Sequence, residues 1–171
     1  MKNQTVNLAI VKQLLSVIIS ATIFATPTAY SEEDGKVYAS SFCEAAPTTE
    51  PDSIQNWGGA LINTSTSVKI LVNCPIVKDK VFSSSQVKGS LEYTIKQASE
   101  VNNTACLWAS LKSLRPGNGT VYTQNAGDCG AEGGSKTIYF DPMPVHSRGY
   151  LYLHVYMPPG SAILSYRVDE L

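Results

Sequence analysis

The sequence predicts an all-β fold: an antiparallel β-sandwich of about eight strands, wound as a jelly roll or an immunoglobulin-like Greek key and carrying two disulfides. Three observations lead there. Short runs rich in Val, Ile, Thr and Tyr recur along the chain between clusters of Gly, Pro, Asn and Ser. Several of these runs alternate apolar and polar residues with period two. Beyond residue 31 no segment keeps the i, i+3, i+4, i+7 spacing of a helix over ten residues.

In chain order the expected strands are 36–42, 57–64, 68–77, 89–99, 105–114, 136–141, 149–157 and 162–169. The stretch from Cys43 through Glu50 to Pro51-Asp52 reads as irregular chain leading into Trp57-Gly58-Gly59. In the third strand Val68, Ile70, Val72 and Cys74 share a face opposite Lys69 and Asn73, which turns Cys74 toward the core. In the fourth, Leu91, Tyr93 and Ile95 oppose Glu92, Thr94 and Lys96, the mark of a half-solvated strand. The stretch from Ala98 to Asn103 is the least regular. Pro116-Gly117-Asn118-Gly119 is a turn by residue type, and Gly127 to Ser135 reads as an exposed loop around Cys129. In 149–157, Leu151, Leu153, Val155 and Met157 alternate with Tyr150, Tyr152, His154 and Tyr156, so both faces of that strand carry bulky side chains.

The N-terminus has a different logic. Lys2 and Lys12 precede an almost wholly apolar run from Leu14 to Ala25, followed by small residues and then Ser31-Glu32-Glu33-Asp34. That order is the pattern of a secretory signal peptide spanning residues 1–31, cleaved after Ser31, with Ala25 as the second choice. A membrane-spanning helix needs about 20 apolar residues, more than this run supplies, and no later stretch is long enough to span. Residues 32–171 are then a single domain. The whole chain has 171 residues, with 13 basic and 14 acidic side chains and a net charge of −1. Without its two signal-peptide lysines it keeps 140 residues and a net charge of −3. A mildly acidic domain without a basic stripe excludes a nucleic-acid partner, and 43% hydrophobic with 9% aromatic residues excludes disorder.

All four cysteines, Cys43, Cys74, Cys106 and Cys129, lie beyond the signal peptide, so two disulfides in an oxidising compartment are expected. Four cysteines allow three pairings. Cys43–Cys74 with Cys106–Cys129 is favoured because nearest neighbours close loops of moderate length. A metal site is not expected, since the spacings contain no C-x-x-C pair and only His146 and His154 could add imidazoles. No cofactor is implied.

Tyr150, Tyr152, His154 and Tyr156 are the strongest binding candidates. At strand spacing they project on one face over roughly 20 Å, an arrangement that holds flat sugar rings or an extended partner by stacking and edge hydrogen bonds. The structural alternative is cross-strand aromatic packing. Trp57 and Trp108 read as core or half-buried packing residues rather than ligand platforms. A hydrolytic triad would have to use His146 or His154 as base, and no serine sits in a G-x-S-x-G elbow, so no catalytic residue is assigned. The carboxylates Asp79, Glu92 and Asp141 lie near strands without a defined separation, and most of the other acids fall in solvated loops. The glycine-rich loop around Cys129 precedes no helix that could hold a phosphate. Beyond residue 31 three N-x-S/T sequons, at Asn63, Asn102 and Asn118, arise readily by chance, and Val168-Asp169-Glu170-Leu171 ends a strand more simply than it forms a luminal retention signal.

Four segments together carry a resemblance: Cys43; Val72-Asn73-Cys74-Pro75-Ile76-Val77-Lys78-Asp79; Cys106-Leu107-Trp108-Ala109-Ser110-Leu111; and the tail from Tyr150-Leu151-Tyr152-Leu153 through Met157-Pro158-Pro159-Gly160 to Ser165-Tyr166-Arg167-Val168-Asp169-Glu170. They resemble a group of small secreted bacterial proteins of unknown function with a Cys-Pro-Ile-Val-Lys/Arg-Asp run and a Tyr-Arg-Val ending. The resemblance implies an exported bacterial domain with two disulfides and no particular activity. The group often has a cysteine where this chain has His154, paired with the equivalent of Cys106, so here Cys129 must replace it. The expected function is a non-catalytic binding module for a glycan or surface partner through Tyr150, Tyr152, His154 and Tyr156. The alternatives are a structural envelope or matrix component, and a secreted hydrolase.

Overall fold

Where the sequence alternates, the chain forms strands that bury one side and wet the other. A computed structural model describes residues 34–46, 51–78, 86–95, 106–117, 119, 121–129 and 134–171. The expected signal peptide lies outside these residues, as do the stretch 98–103, Asp79 and the sequons at Asn102 and Asn118. Eleven strands run in order: β1 (Asp34–Ala39), β2 (Glu44–Ala45), β3 (Ile54–Trp57), β4 (Ala60–Asn63), β5 (Ile70–Ile76), β6 (Gln86–Ile95), β7 (Cys106–Leu114), β8 (Val121–Cys129), β9 (Lys136–Pro144), β10 (Tyr150–Met157) and β11 (Ser161–Glu170).

They form two antiparallel sheets, a six-stranded one in the order β3-β4-β11-β6-β9 with β1 also on β11, and a five-stranded one in the order β2-β5-β10-β7-β8. Only the β3–β4 and β7–β8 connections stay within a sheet. Each of the others crosses between sheets, the winding of a jelly roll. Between the sheets the inward residues interdigitate. Ile70, Val72, Leu153, Val155, Met157, Leu107 and Leu111 from one sheet meet Val87, Leu91, Tyr93, Ile163 and Tyr166 from the other, all but fully buried.

Both disulfides join nearest neighbours, Cys43–Cys74 and Cys106–Cys129. The first lies in the core, as the alternation of β5 expects. The second links directly opposed residues of β7 and β8.

Directed contacts also tie the two sheets together. Tyr166 is 1% exposed and its hydroxyl donates to the Pro75 carbonyl of the other sheet at 2.7 Å. Tyr38 stacks on it at 4.9 Å between ring centroids, and its hydroxyl donates to the Val77 carbonyl (3.0 Å) while accepting the Val77 N–H (3.2 Å). Elsewhere the Tyr93 hydroxyl donates to Asp128 of β8, whose carboxylate also takes Lys136 Nζ of β9 at 3.1 Å. The Tyr93 bond and the Lys136 ammonium hold the Asp128 carboxyl below the usual aspartate range. Burial, followed by Asp128 itself, pushes the Tyr93 phenol upward.

Three local expectations are corrected. The strand expected at 57–64 is a hairpin, β3 and β4 around Gly58-Gly59. The chain around Gly127, Asp128 and Cys129 is not loop but the end of β8, a strand absent from the expected set. Its sequence, VYTQNAGDC, lacks an apolar face because β8 is the edge of its sheet, and it is the ladder with β7 and the disulfide that make it a strand. Trp57, expected in the core or half-buried, is 71% exposed, whereas Trp108 is half exposed, at 50%.

Candidate functional site

The outward face of the five-stranded sheet is built by alternation. In β10, Leu151, Leu153, Val155 and Met157 point into the core, which turns Tyr150, Tyr152, His154 and Tyr156 to the solvent side. β10 lies between β5 and β7, so the four rings stand mid-sheet. Tyr150 is 67% and Tyr156 45% exposed, while Tyr152 and His154 are half-buried between neighbours. The structure thus brings all four sequence-derived candidates onto one face and leaves His146 elsewhere.

Strand register arranges this face in rows. Leu71, Tyr156, Trp108 and Gly127 stand opposite one another across β5, β10, β7 and β8. The neighbouring row is Asn73, His154, Ser110 and Asn125, and the one beyond it Pro75, Tyr152, Lys112 and Thr123. The first row is aromatic and apolar. The second is a line of hydrogen-bonding groups: His154 Nδ1 lies 2.7 Å from Asn73 Oδ1, and the Ser110 hydroxyl donates to Asn125 Oδ1 at 2.7 Å.

Trp108 belongs to this site although it was expected to be a packing residue rather than a ligand platform. Its signal was present in the sequence, because Leu107, Ala109 and Leu111 flank it with the period of a buried face and leave position 108 outward. Gly127 sets the pose of its indole. A Cβ at that position would stand 2.9 Å from Trp108 Cδ2 and Cζ3 and nearer still to Cε3, so the ring lies down over the β8 backbone where only glycine leaves room. An indole lying down offers its π-face outward.

His154 meets Tyr156 edge-on at 5.3 Å between centroids. Burial, followed by the nearby Lys112 ammonium, holds the imidazole below its usual range, so it is neutral at neutral pH. With Asn73 Oδ1 accepting, Nδ1 carries the proton and Nε2 keeps a lone pair for a ligand hydroxyl. The arrangement can therefore stack a flat apolar surface along one row and exchange hydrogen bonds along the next. Neither row carries an acid, except Glu44 of β2 opposite Asn73.

His146 sits at the other end of the sheet. Its ring stacks on Tyr122 at 4.4 Å, its backbone N–H donates to the Ser113 hydroxyl, and Nε2 is buried with no hydrogen-bond partner among the described residues. Neither histidine is thus paired with a carboxylate among the described residues, the arrangement a hydrolytic base would need. Among those residues no group of three or more His, Cys, Asp or Glu side chains could hold a metal ion, and no helix is long and apolar enough to cross a membrane. The Asn63 sequon is closed off: the side chain is fully buried, its amide donating to the Val68, Met157 and Pro158 carbonyls and its oxygen accepting the Ser65 N–H.

No protein-family model matches the sequence, and no curated protein matches it. Among solved structures the chain is similar to the C-terminal CBM6 of LamC, a marine laminarinase from Zobellia galactanivorans, at 13% identity and a TM-score of 0.48, covering 80% of this chain and 99% of that one. It is also similar to a Podospora anserina GH26-CBM35 β-(1,4)-mannanase at 10% identity and a TM-score of 0.46, covering 80% of this chain and 28% of that longer one. A third is the C-terminal family 22 carbohydrate binding module of Clostridium thermocellum Xyn10B, at 11% identity and a TM-score of 0.45, covering 76% and 85%. At this distance the likeness is one of sandwich architecture.

Proposed function

We propose that this protein is a non-catalytic module that binds glycan through the outward face of its five-stranded sheet. The observation that carries the reading is the pair of adjacent rows: Tyr156 and Trp108 for stacking, with Asn73, His154, Ser110 and Asn125 beside them for hydroxyl groups. Sugar rings present an apolar C–H face and a rim of hydroxyls, and the spacing between rows matches those two demands side by side. Two disulfides support a working place outside the cytoplasm, in keeping with the signal peptide read at residues 1–31.

Affinity electrophoresis through gels containing neutral β-linked polysaccharides tests it. Wild-type protein should be retarded by at least one of them, and Trp108→Ala or Tyr156→Ala should lose roughly two- to tenfold in affinity while keeping the fold by circular dichroism. Both substitutions binding as tightly as wild type, or a wild type that no polysaccharide retards, would overturn the proposal.

A further inference from the structure

The six-stranded sheet carries a second, different surface. Its outward face forms a groove of about 630 Å³, within the range of small-molecule sites. The register draws a line across it: Val37 of β1, Arg167 of β11, Ser90 of β6 and Tyr139 of β9 stand opposite one another in one row. Val37 and Tyr139 are 68% and 75% exposed and form the two ends, three inter-strand spacings apart, about 14 Å. Ala39, Ser165, Glu92 and Thr137 make the adjacent row.

Two of the groove's charges are spent on each other. Arg167 Nε donates to Asp169 Oδ1 at 2.7 Å, and Asp169 is only 7% exposed. Gly35 of β1 makes this possible, since a Cβ there would overlap both the Asp169 carboxylate and the Arg167 guanidinium, so the pair lies across the strand. The Ser165 hydroxyl donates to Glu92 Oε2 at 3.1 Å. An anionic ligand would meet three carboxylates, Glu92, Asp141 and Asp169, and an arginine already engaged. A cationic one would meet Lys88 and Arg167. What the lining offers is a fixed set of donors and acceptors between an aromatic ring and an aliphatic end, which suits an uncharged polyhydroxylated chain.

We infer that this groove is a second carbohydrate site, taking a short stretch of neutral oligosaccharide laid across β1, β11, β6 and β9. It does not depend on the aromatic face of the other sheet. The two differ in kind: the five-stranded sheet offers a broad stacking surface, and the groove holds a single chain by directed hydrogen bonds.

The test is a titration of the disulfide-intact protein, by calorimetry and amide NMR shifts, with hexasaccharides of β-1,3-glucan, β-1,4-glucan, β-1,4-xylan and β-1,4-mannan and with an oligouronate. It is run on wild type, on Trp108→Ala/Tyr156→Ala and on Tyr139→Ala. The inference expects at least one neutral hexasaccharide to bind the double variant and shift Ser90, Thr137, Tyr139 and Ser165. It also expects Tyr139→Ala to weaken that binding roughly two- to tenfold with the fold intact, and the oligouronate to bind no tighter. Loss of all binding in the double variant overturns the groove and leaves the aromatic face standing. Binding confined to the groove does the reverse. Preference for the oligouronate, or a groove silent to every neutral probe, also overturns the inference.

Discussion

Replacing Gly127 with alanine separates the candidate site from the stability of the fold. The new methyl group would stand 2.9 Å from two carbons of the Trp108 indole, and nearer to a third, where carbon atoms in contact keep about 3.5 Å or more. The nearest carbon sets the demand, so the ring must lift by about 1 Å or swing away from β8. The backbone itself suffers little, because Gly127 sits in regular strand, where alanine is favoured over glycine by roughly 0.5–1 kcal/mol. That gain offsets the contacts the indole loses, so stability in urea should change by no more than about 1 kcal/mol. Binding should not be spared: losing the lying-down indole removes ~0.5–1.5 kcal/mol of stacking, a two- to tenfold loss of affinity. A Trp57→Phe background leaves Trp108 as the sole tryptophan, and acrylamide quenching of its fluorescence should rise. Unchanged quenching would show that the indole does not rest on Gly127. Increased quenching with unchanged polysaccharide affinity would refute Trp108 as part of the binding surface.

Other expectations follow from the contacts between sheets. Tyr166→Phe leaves the Pro75 carbonyl without its cross-sheet donor and should cost about 1–3 kcal/mol in urea unfolding, a loss that an unchanged midpoint would contradict. Burial raises the phenols of both Tyr93 and Tyr166 above their ordinary value of 10, so the unfolded chain gives up protons first and stability should fall as pH rises beyond about 10. A flat alkaline limb would contradict this. The depressed Asp128 carboxyl works in the opposite sense: its contribution is complete above the ordinary value of 3.8 and is lost as pH falls below it, so Asp128→Asn should flatten the acid limb of the stability curve. The disulfides close loops with sequence separations of 31 and 23, and reducing either should cost about 3–4 kcal/mol by loop-closure entropy, measured as the shift in urea midpoint with and without reductant.

Most of the fold was legible because period-two alternation is a direct consequence of burying one face of a sheet. Ile70, Val72 and Cys74, or Leu151, Leu153 and Val155, can point inward together only in a strand. The pairing of the cysteines followed from proximity along the chain. β8 was hidden for the converse reason. An edge strand held by its neighbour's backbone and by Cys129 needs no apolar period of its own, so nothing in VYTQNAGDC marks it. The tyrosine stripe could be placed on one side of β10 by counting, but whether that side faced water depended on what covered the sheet, which residue spacing does not contain. The rows were invisible for a related reason: register across β5, β10, β7 and β8 joins residues far apart in the chain, such as Leu71 and Tyr156, 85 positions from each other. The groove was missed altogether, since Val37, Arg167, Ser90 and Tyr139 share no motif and meet only through pairing.

The two faces lie on opposite sheets, with the close-packed core between them, so a substitution outside the core on one should leave the other unaltered. Tyr166, inside that core, is what links them. It lies in β11 between Ser165 and Arg167, whose side chains line the groove, and its hydroxyl holds the Pro75 carbonyl in β5. Pro75 stands in the row of Tyr152 and Lys112 on the aromatic face. A ligand that pulled on β11 would thus be felt at the other sheet through a hydrogen bond worth about 1 kcal/mol net. Coupling carried by that bond is bounded by the same figure, roughly a fivefold change in affinity at most. Occupancy of one face should therefore shift binding at the other only slightly, and Tyr166→Phe should abolish even that shift while leaving each face able to bind alone.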